Sequence, residues 1–266
     1  MPFKSIFIAC VIGGSLMVAA LMINRARPPA DTSGSTPTFT QATGRCAQCH
    51  REETAAVVHQ FERSAHSQAN ITCYDCHQAL DGQESNEHYN FTLAGDVTSL
   101  NCQACHRTEY DQFARSRHAL PAWGAVRGAA EVSADLLAES EQHHPGAVDR
   151  PANALALLEG PAAMQTGCLA CHAIGAPNQD GSIGTCTECH SRHSTSIALA
   201  REPQTCGQCH MGPDHSQIEI YNESKHGALF NAQRPALDLG VDPKRLTTAD
   251  MPIPTCATCH MSGLDG

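Results

Sequence analysis

The sequence is short of the bulky side chains that usually fill a core. Only 5% of its 266 residues are aromatic, and Trp123 is the single tryptophan. A chain of this length normally buries many such groups, so staples or a non-protein mass must fill its centre. Lysines are scarce and scattered (Lys4, Lys225, Lys244), and the formal net charge is −10. Nucleic-acid binding needs basic patches that neutralise phosphates, and this balance excludes it. Strand signals are sparse too, while "AAEVSADLLAES" and "NALALLEG" in the long stretch 121–167 read as short helices. The pattern predicts a mainly α, loop-rich fold with very little β.

Long apolar runs are also lacking, with one exception. Ser5 to Ile23 follows Lys4 and contains Cys10. As a helix it would measure roughly 28 Å, about one bilayer core. Residues 1–24 therefore read as a signal anchor or signal peptide, and the lack of a clean small-residue cleavage site favours a retained anchor. Residues 25–45, rich in Pro, Ser, Thr and Gly, read as a flexible linker. Either reading puts the rest of the chain on the periplasmic side, anchored to the inner membrane or secreted.

What the chain has in excess is cysteine and histidine, 15 and 16 residues. Fourteen of the cysteines fall in seven C-x-x-C-H motifs. In chain order these are Cys46, Cys49 and His50; Cys73, Cys76 and His77; Cys102, Cys105 and His106; and Cys168, Cys171 and His172. Then follow Cys186, Cys189 and His190; Cys206, Cys209 and His210; and Cys256, Cys259 and His260. C-x-x-C-H is the attachment signature of c-type haem: two thiols on one helical turn bond the macrocycle, and the next residue reaches the iron. Zinc or dithiol chemistry can use C-x-x-C but does not require histidine at the following position seven times. The sequence predicts seven covalently bound c-type haems over residues 46–266. From Cys46 to His260 that is about 31 residues per haem, a density that packs the macrocycles closely enough for electron transfer. Their mass replaces the missing aromatics.

The other nine histidines are candidates for the opposite face of each iron. An aromatic-x-x-Ser-x-His repeat occurs in "FERSAH", "FARSRH" and "YNESKH", and assigns His66, His118 and His226 as distal ligands. His193 lies too near His190 to cap the same haem and is placed to cap a neighbour. His88 in "NEHYNF" is a further candidate, and one of His143 and His144 could supply a sixth. His59 reads as a solvated helix position, and Met211 and Met261 as packing residues. Six distal ligands for seven haems leave one iron open, and His215 without a ligand role.

"GCLACHAIGAPNQDGSIGTCTECHSRHS", followed by "CGQCHMGPDHSQIEIYNESKHG" and "PTCATCHMSG", resembles the hydroxylamine oxidoreductase family of multihaem cytochromes c. The resemblance runs from about Cys46 to the C-terminus. It implies that the fourth haem, on Cys168, Cys171 and His172, is five-coordinate and catalytic, and that Asp214 and His215 line its distal pocket. It implies bis-histidine relay haems elsewhere, a homotrimer, and oxidation of hydroxylamine or hydrazine or reduction of nitrite or hydroxylamine. An electron-transfer protein of this kind needs a redox partner, a cytochrome or a quinone-linked membrane protein. The sequence departs from the family in having no eighth motif after His260. None of Tyr74, Tyr89, Tyr110 and Tyr221 matches the C-terminal tyrosine that crosslinks to the catalytic haem of hydroxylamine-oxidising members. Reaction direction therefore stays open, and so does the alternative of a non-catalytic, membrane-tethered electron carrier or of a fragment of a longer frame. A plainer reading of the Asp-His pair makes Asp214 the N-cap of a helix and His215 solvated.

Overall fold

The structure is a computed structural model and describes residues 39–261. The apolar segment, Cys10 and most of the expected linker lie outside the described residues. Among the described residues no helix is long and apolar enough to cross a membrane.

The described residues fold into short helices joined by turns, with one small two-stranded sheet among them. Most helices run four to ten residues, starting with Gly44–Glu53 and ending with Cys256–His260. Threonine sets several of their starts. Thr72 caps Cys73–His77: its backbone N–H donates to Asp75 Oδ2 at 2.7 Å, and its hydroxyl accepts from Asp75 N–H at 3.4 Å. Thr98 does the same for Ser99–Gln103 with Asn101, and Thr255 for Cys256–His260 with Thr258. Such reciprocal caps satisfy amide donors that the first helical turn leaves unpaired. They fix where the turn begins, and hence which way both thiols and the histidine point.

The two helices expected in the long stretch form at Ala134–His143 and Ala154–Glu159. Ser133 caps the first, accepting from Leu136 N–H, and Asn153 the second, accepting from Leu155 and Ala156 N–H. The hairpin pairs β1, Ser85–His88, with β2, Phe91–Ala94, in antiparallel register. Tyr89 and Asn90 turn it with φ of 49° and 68°, the paired left-handed geometry of a two-residue hairpin turn. His88 is thereby held at the hairpin tip.

Apolar packing is split into separate small clusters. Ala119, Leu120, Leu136 and Ile183 form one, Val126, Ala156, Met164 and Leu169 a second, with Trp123 packed against both. Phe230, Leu239, Met251 and Ile253 form a third, and Ala42, Ala47 and Val58 a fourth. None of the fourteen motif cysteines is buried. Free cysteine is normally among the most buried residue types. Thiols that line open space between small protein clusters are what a chain wrapped around a non-protein centre presents.

The ordered domain begins ahead of its first motif. Thr40 N–H donates to the Glu62 carbonyl at 3.0 Å, and Ala42 N–H to the Glu62 carboxylate at 3.0 Å. The helix Gly44–Glu53 also takes in the last two residues of the expected linker. Glu62 is 1% exposed and accepts a further bond from Arg51 Nη2 at 2.5 Å. Burial pushes its carboxyl up, but the Arg51 guanidinium and the Ala42 amide outweigh burial and hold it below the usual 4.5. The folded value is depressed, so this stabilisation is complete above pH 4.5 and is lost as pH falls through the folded value. Melting temperature followed from pH 7 into the acid range should show that loss. Glu62→Gln should flatten the acid limb and cost about 1–3 kcal/mol at pH 7; an unchanged acid limb would assign the loss to other carboxylates.

Candidate haem sites and the His215 turn

Each motif is built on one helical turn, or on a turn at a helix end. Cys73–His77 and Cys256–His260 are complete short helices, and Cys46–His50 lies within Gly44–Glu53. In three others the histidine N–H donates to the first cysteine's carbonyl: His106 to Cys102 at 2.9 Å, His190 to Cys186 at 3.0 Å, and His210 to Cys206 at 2.9 Å. The fourth spans a π-helical turn, Met164–Cys168, and the short helix Leu169–His172. Side chains three and four apart on a helix share a face, so thiols and imidazole converge on one side of each motif.

Motifs meet thiol to thiol. Cys73 interacts with Cys46, and Cys76 with Cys102 and Cys105. Cys102 interacts with Cys186, Cys206 with Cys256, and Cys209 with Cys171, while Cys189 interacts with Cys206 and Cys209. By these contacts the motifs run first, second, third, fifth, sixth, seventh, and the fourth joins at the sixth.

Histidines face one another across the spaces so formed. A metal–imidazole bond is about 2 Å, so imidazoles on opposite sides of one iron have ring centres about 6 Å apart. His50 and His88 have centroids 6.2 Å apart, His66 and His106 5.9 Å, His77 and His193 6.3 Å, and His118 and His210 5.9 Å. The described residues therefore fit haem at these positions. The proximal histidine comes from a motif each time, and its partner from a distant element: the hairpin tip, the turn after Ser64, the turn after Cys189 and the segment after Ser116.

Hydrogen bonds orient several of these rings. His172 Nδ1–H donates to the Ala122 carbonyl at 2.8 Å, leaving Nε2 free. His66 Nδ1 bonds Thr195 Oγ1 at 2.9 Å, and His50 Nδ1 bonds Thr54 Oγ1 at 2.9 Å. A ligating imidazole commonly donates its second N–H in this manner. Burial, with help from the facing ring, lowers the pKa of His66 beside His106 and of His118 beside His210. Burial, His193 and His50 lower His77, and burial, His106 and His66 lower His190. These imidazoles are kept neutral, the form that binds a metal.

Other expected residues are placed differently. His226 is exposed, in the first turn of Lys225–Gln233, and faces no other imidazole among the described residues. His143 and His144, at the end of Ala134–His143 against a cavity, also face no other imidazole among the described residues. No second ring stands across from His190 or His260 among the described residues. His59 is, as expected, a solvated helix position on Ala55–Phe61, with Nδ1 3.6 Å from Glu62 Oε2. Met211 and Met261, expected to pack, are 55% and 61% exposed. The orienting groups Ala122, Thr195 and Thr54 went unread in the sequence. A backbone carbonyl leaves no side-chain signature, and Thr195 is remote from His66.

His215 sits on a turn. Gly212 takes a left-handed φ of 80°, its N–H donates to Glu219 Oε1 at 3.0 Å, and His215 N–H donates back to the Gly212 carbonyl at 3.3 Å. The His215 ring centre is 6.4 Å from that of His172 and 6.5 Å from that of His210. The turn thus delivers the histidine of the sixth motif's flank to the fourth motif. The N-cap position of the following helix, Gln217–Glu223, is Ser216, so Asp214 does not cap it. Asp214 is exposed, and no hydrogen bond joins it to His215 among the described residues.

Comparison with known proteins agrees with this architecture. The family described as "Seven times multi-haem cytochrome CxxCH" matches residues 69–265. A probable nitrite reductase–hydroxylamine oxidoreductase fusion protein of Kuenenia stuttgartiensis is 26% identical over 232 residues, covering 82% of this chain and 25% of its own length. A hypothetical multihaem protein superposes with a TM-score of 0.66 at 25% identity, over 89% of this chain and 56% of that one. A reducing HAO-like protein complex of Kuenenia stuttgartiensis gives 0.54 at 26% identity, over 81% and 41%. The chain thus spans a quarter of the length of that curated relative and about half of the structural neighbours. With repeated C-x-x-C-H turns, facing imidazoles and this family match together, the chain belongs to the multihaem cytochrome CxxCH family.

Proposed function

We propose that this protein carries seven c-type haems and is an oxidoreductase for small nitrogen compounds, acting at the haem of Cys168, Cys171 and His172. Substrates of the hydroxylamine, hydrazine or nitrite class fit the reading. The observation that carries it is the placement of His215 opposite His172. The haems, when bound, carry the electrons, and the open face of the fourth iron is where substrate would bind. His172 would hold that haem through Nε2, because the Ala122 carbonyl occupies its Nδ1–H. His215 offers an imidazole on the other side as a proton donor or acceptor, which multi-electron nitrogen chemistry requires. Its ring stands equally far from His172 and His210, the position of a group between two sites rather than of a dedicated partner to one. The interaction between Cys171 and Cys209 puts the fourth and sixth motifs side by side. The other facing histidines, His88, His66, His193 and His118, would hold the remaining haems from the side opposite the motif histidines. The protein works on the periplasmic side, tethered or secreted, and exchanges electrons with a cytochrome or a quinone-linked membrane protein.

A second reading has its own support. The 6.4 Å between His172 and His215 also suits two ligands of one iron, which would close the fourth haem and make the protein a carrier only. Electron paramagnetic resonance of the purified ferric protein separates the two. A high-spin signal that changes on adding hydroxylamine or nitrite is the expected result; low-spin signals throughout would establish the carrier.

A further inference from the structure

We propose that a cavity beside the helix Leu120–Arg127 binds an anionic oxygen group, a carboxylate or small oxyanion, away from the His172–His215 site. The cavity measures about 380 Å³. Ser140, His144, Arg117 and Arg150 line it, with Asp149 as the one carboxylate. Ser140 is 5% exposed, and its Oγ is buried without a hydrogen-bond partner; His144 Nε2 is buried and unpartnered as well. Buried polar atoms are nearly always bonded, and leaving one unmade costs about 1–3 kcal/mol. Two such atoms bordering one cavity point to a ligand that completes them.

The charge around them says which kind. Arg117 and Arg150 are exposed, and neither forms an ion pair or side-chain hydrogen bond among the described residues. Guanidinium groups present parallel N–H donors that match carboxylate and oxyanion geometry. A hydroxyl and an imidazole N–H complete a donor set around a small anion. Arg150 is held where it can serve: its carbonyl accepts from Ala129 N–H at 2.8 Å, and its Cδ passes 3.4 Å from where a Cβ on Gly124 would stand. The same helix presents the Ala122 carbonyl to His172, so the cavity and the fourth motif share one wall. Two sources offer the required group, a free oxyanion from solution or a propionate carboxylate of an attached haem.

Haem-loaded protein titrated with inorganic phosphate in a calorimeter tests the idea, alongside Ser140→Ala and Arg150→Gln. Neither change removes a side-chain hydrogen bond within the protein, so both variants should fold with full haem content. Saturable phosphate binding, weakened about tenfold or more by each variant, assigns the cavity to a free oxyanion. Absent phosphate binding, with the reduction potential of one haem displaced in each variant, assigns it to a propionate. Phosphate binding that neither variant weakens overturns the proposal, and so does the absence of both binding and a displaced potential. None of these readings depends on turnover at His172, so the proposal fails separately from the catalytic one.

Discussion

His215→Ala should keep every haem and lose turnover. The haem content, read as intact mass, should match the parent protein, because the ring is exposed on a turn and lies outside the four apolar clusters. Turnover of nitrite or hydroxylamine should fall about 10²–10⁴-fold, the usual contribution of a positioned proton donor or acceptor. Asp214→Asn should cost much less. No hydrogen bond joins Asp214 to His215 among the described residues, so its carboxylate can act on the imidazole only through space, in water. Unchanged turnover in His215→Ala would sink the assigned role. A new high-spin signal that appears only in the variant would show that the ring had been an iron ligand, and would favour the carrier.

The largest stability effect is expected from Gly175→Ala. A Cβ there would lie 1.8 Å from the Ala119 carbonyl oxygen and 2.7 Å from that of His118. Both are backbone atoms, so relief requires moving a segment rather than turning a side chain. On one side of the contact is the turn Ala173–Gly175, directly after His172. On the other is His118, followed by the helix that carries Ala122. Separating them disturbs the His118–His210 pair and the His172–Ala122 bond together. We expect a loss of about 4 kcal/mol or more, the range of severe single substitutions, and an altered low-spin haem signal. Gly167→Ala is the matched control: nothing lies within 4 Å of its Cβ, and stability should change by no more than about 0.5 kcal/mol. Equal behaviour of the two variants would refute the close approach.

The C-x-x-C-H motifs are legible because their chemistry is local. Two thiols and an imidazole within five residues need only one helical turn, so the motif carries its own geometry in the spacing. The preceding threonines, at Thr72 and Thr255, are legible for the same reason, since a cap acts within three residues. Distal histidines were legible as candidates and not as partners. His66 and His118 were read from one repeat, yet His66 faces the third motif and His118 the sixth. His226, from the same repeat, faces no imidazole among the described residues. Which rings meet depends on contacts across more than a hundred residues, such as His77 with His193.

His215 shows the same division. Its uniqueness after the sixth motif was visible in "MGPDH", and the family resemblance assigned it to the fourth haem. The helix-cap reading of Asp214 is corrected by Ser216 in the N-cap position. The tertiary fold alone fixed the equal spacing of the ring from His172 and His210, and the missing bond to Asp214. Sequence by itself determined the seven C-x-x-C-H motifs, the mainly helical class and the need for a non-protein centre, because spacing and composition act over a few residues. Tertiary structure decided the pairing of imidazoles, the branching of the fourth motif at the sixth, and the cavity beside Leu120–Arg127, because each arises only where segments remote in the chain pack together.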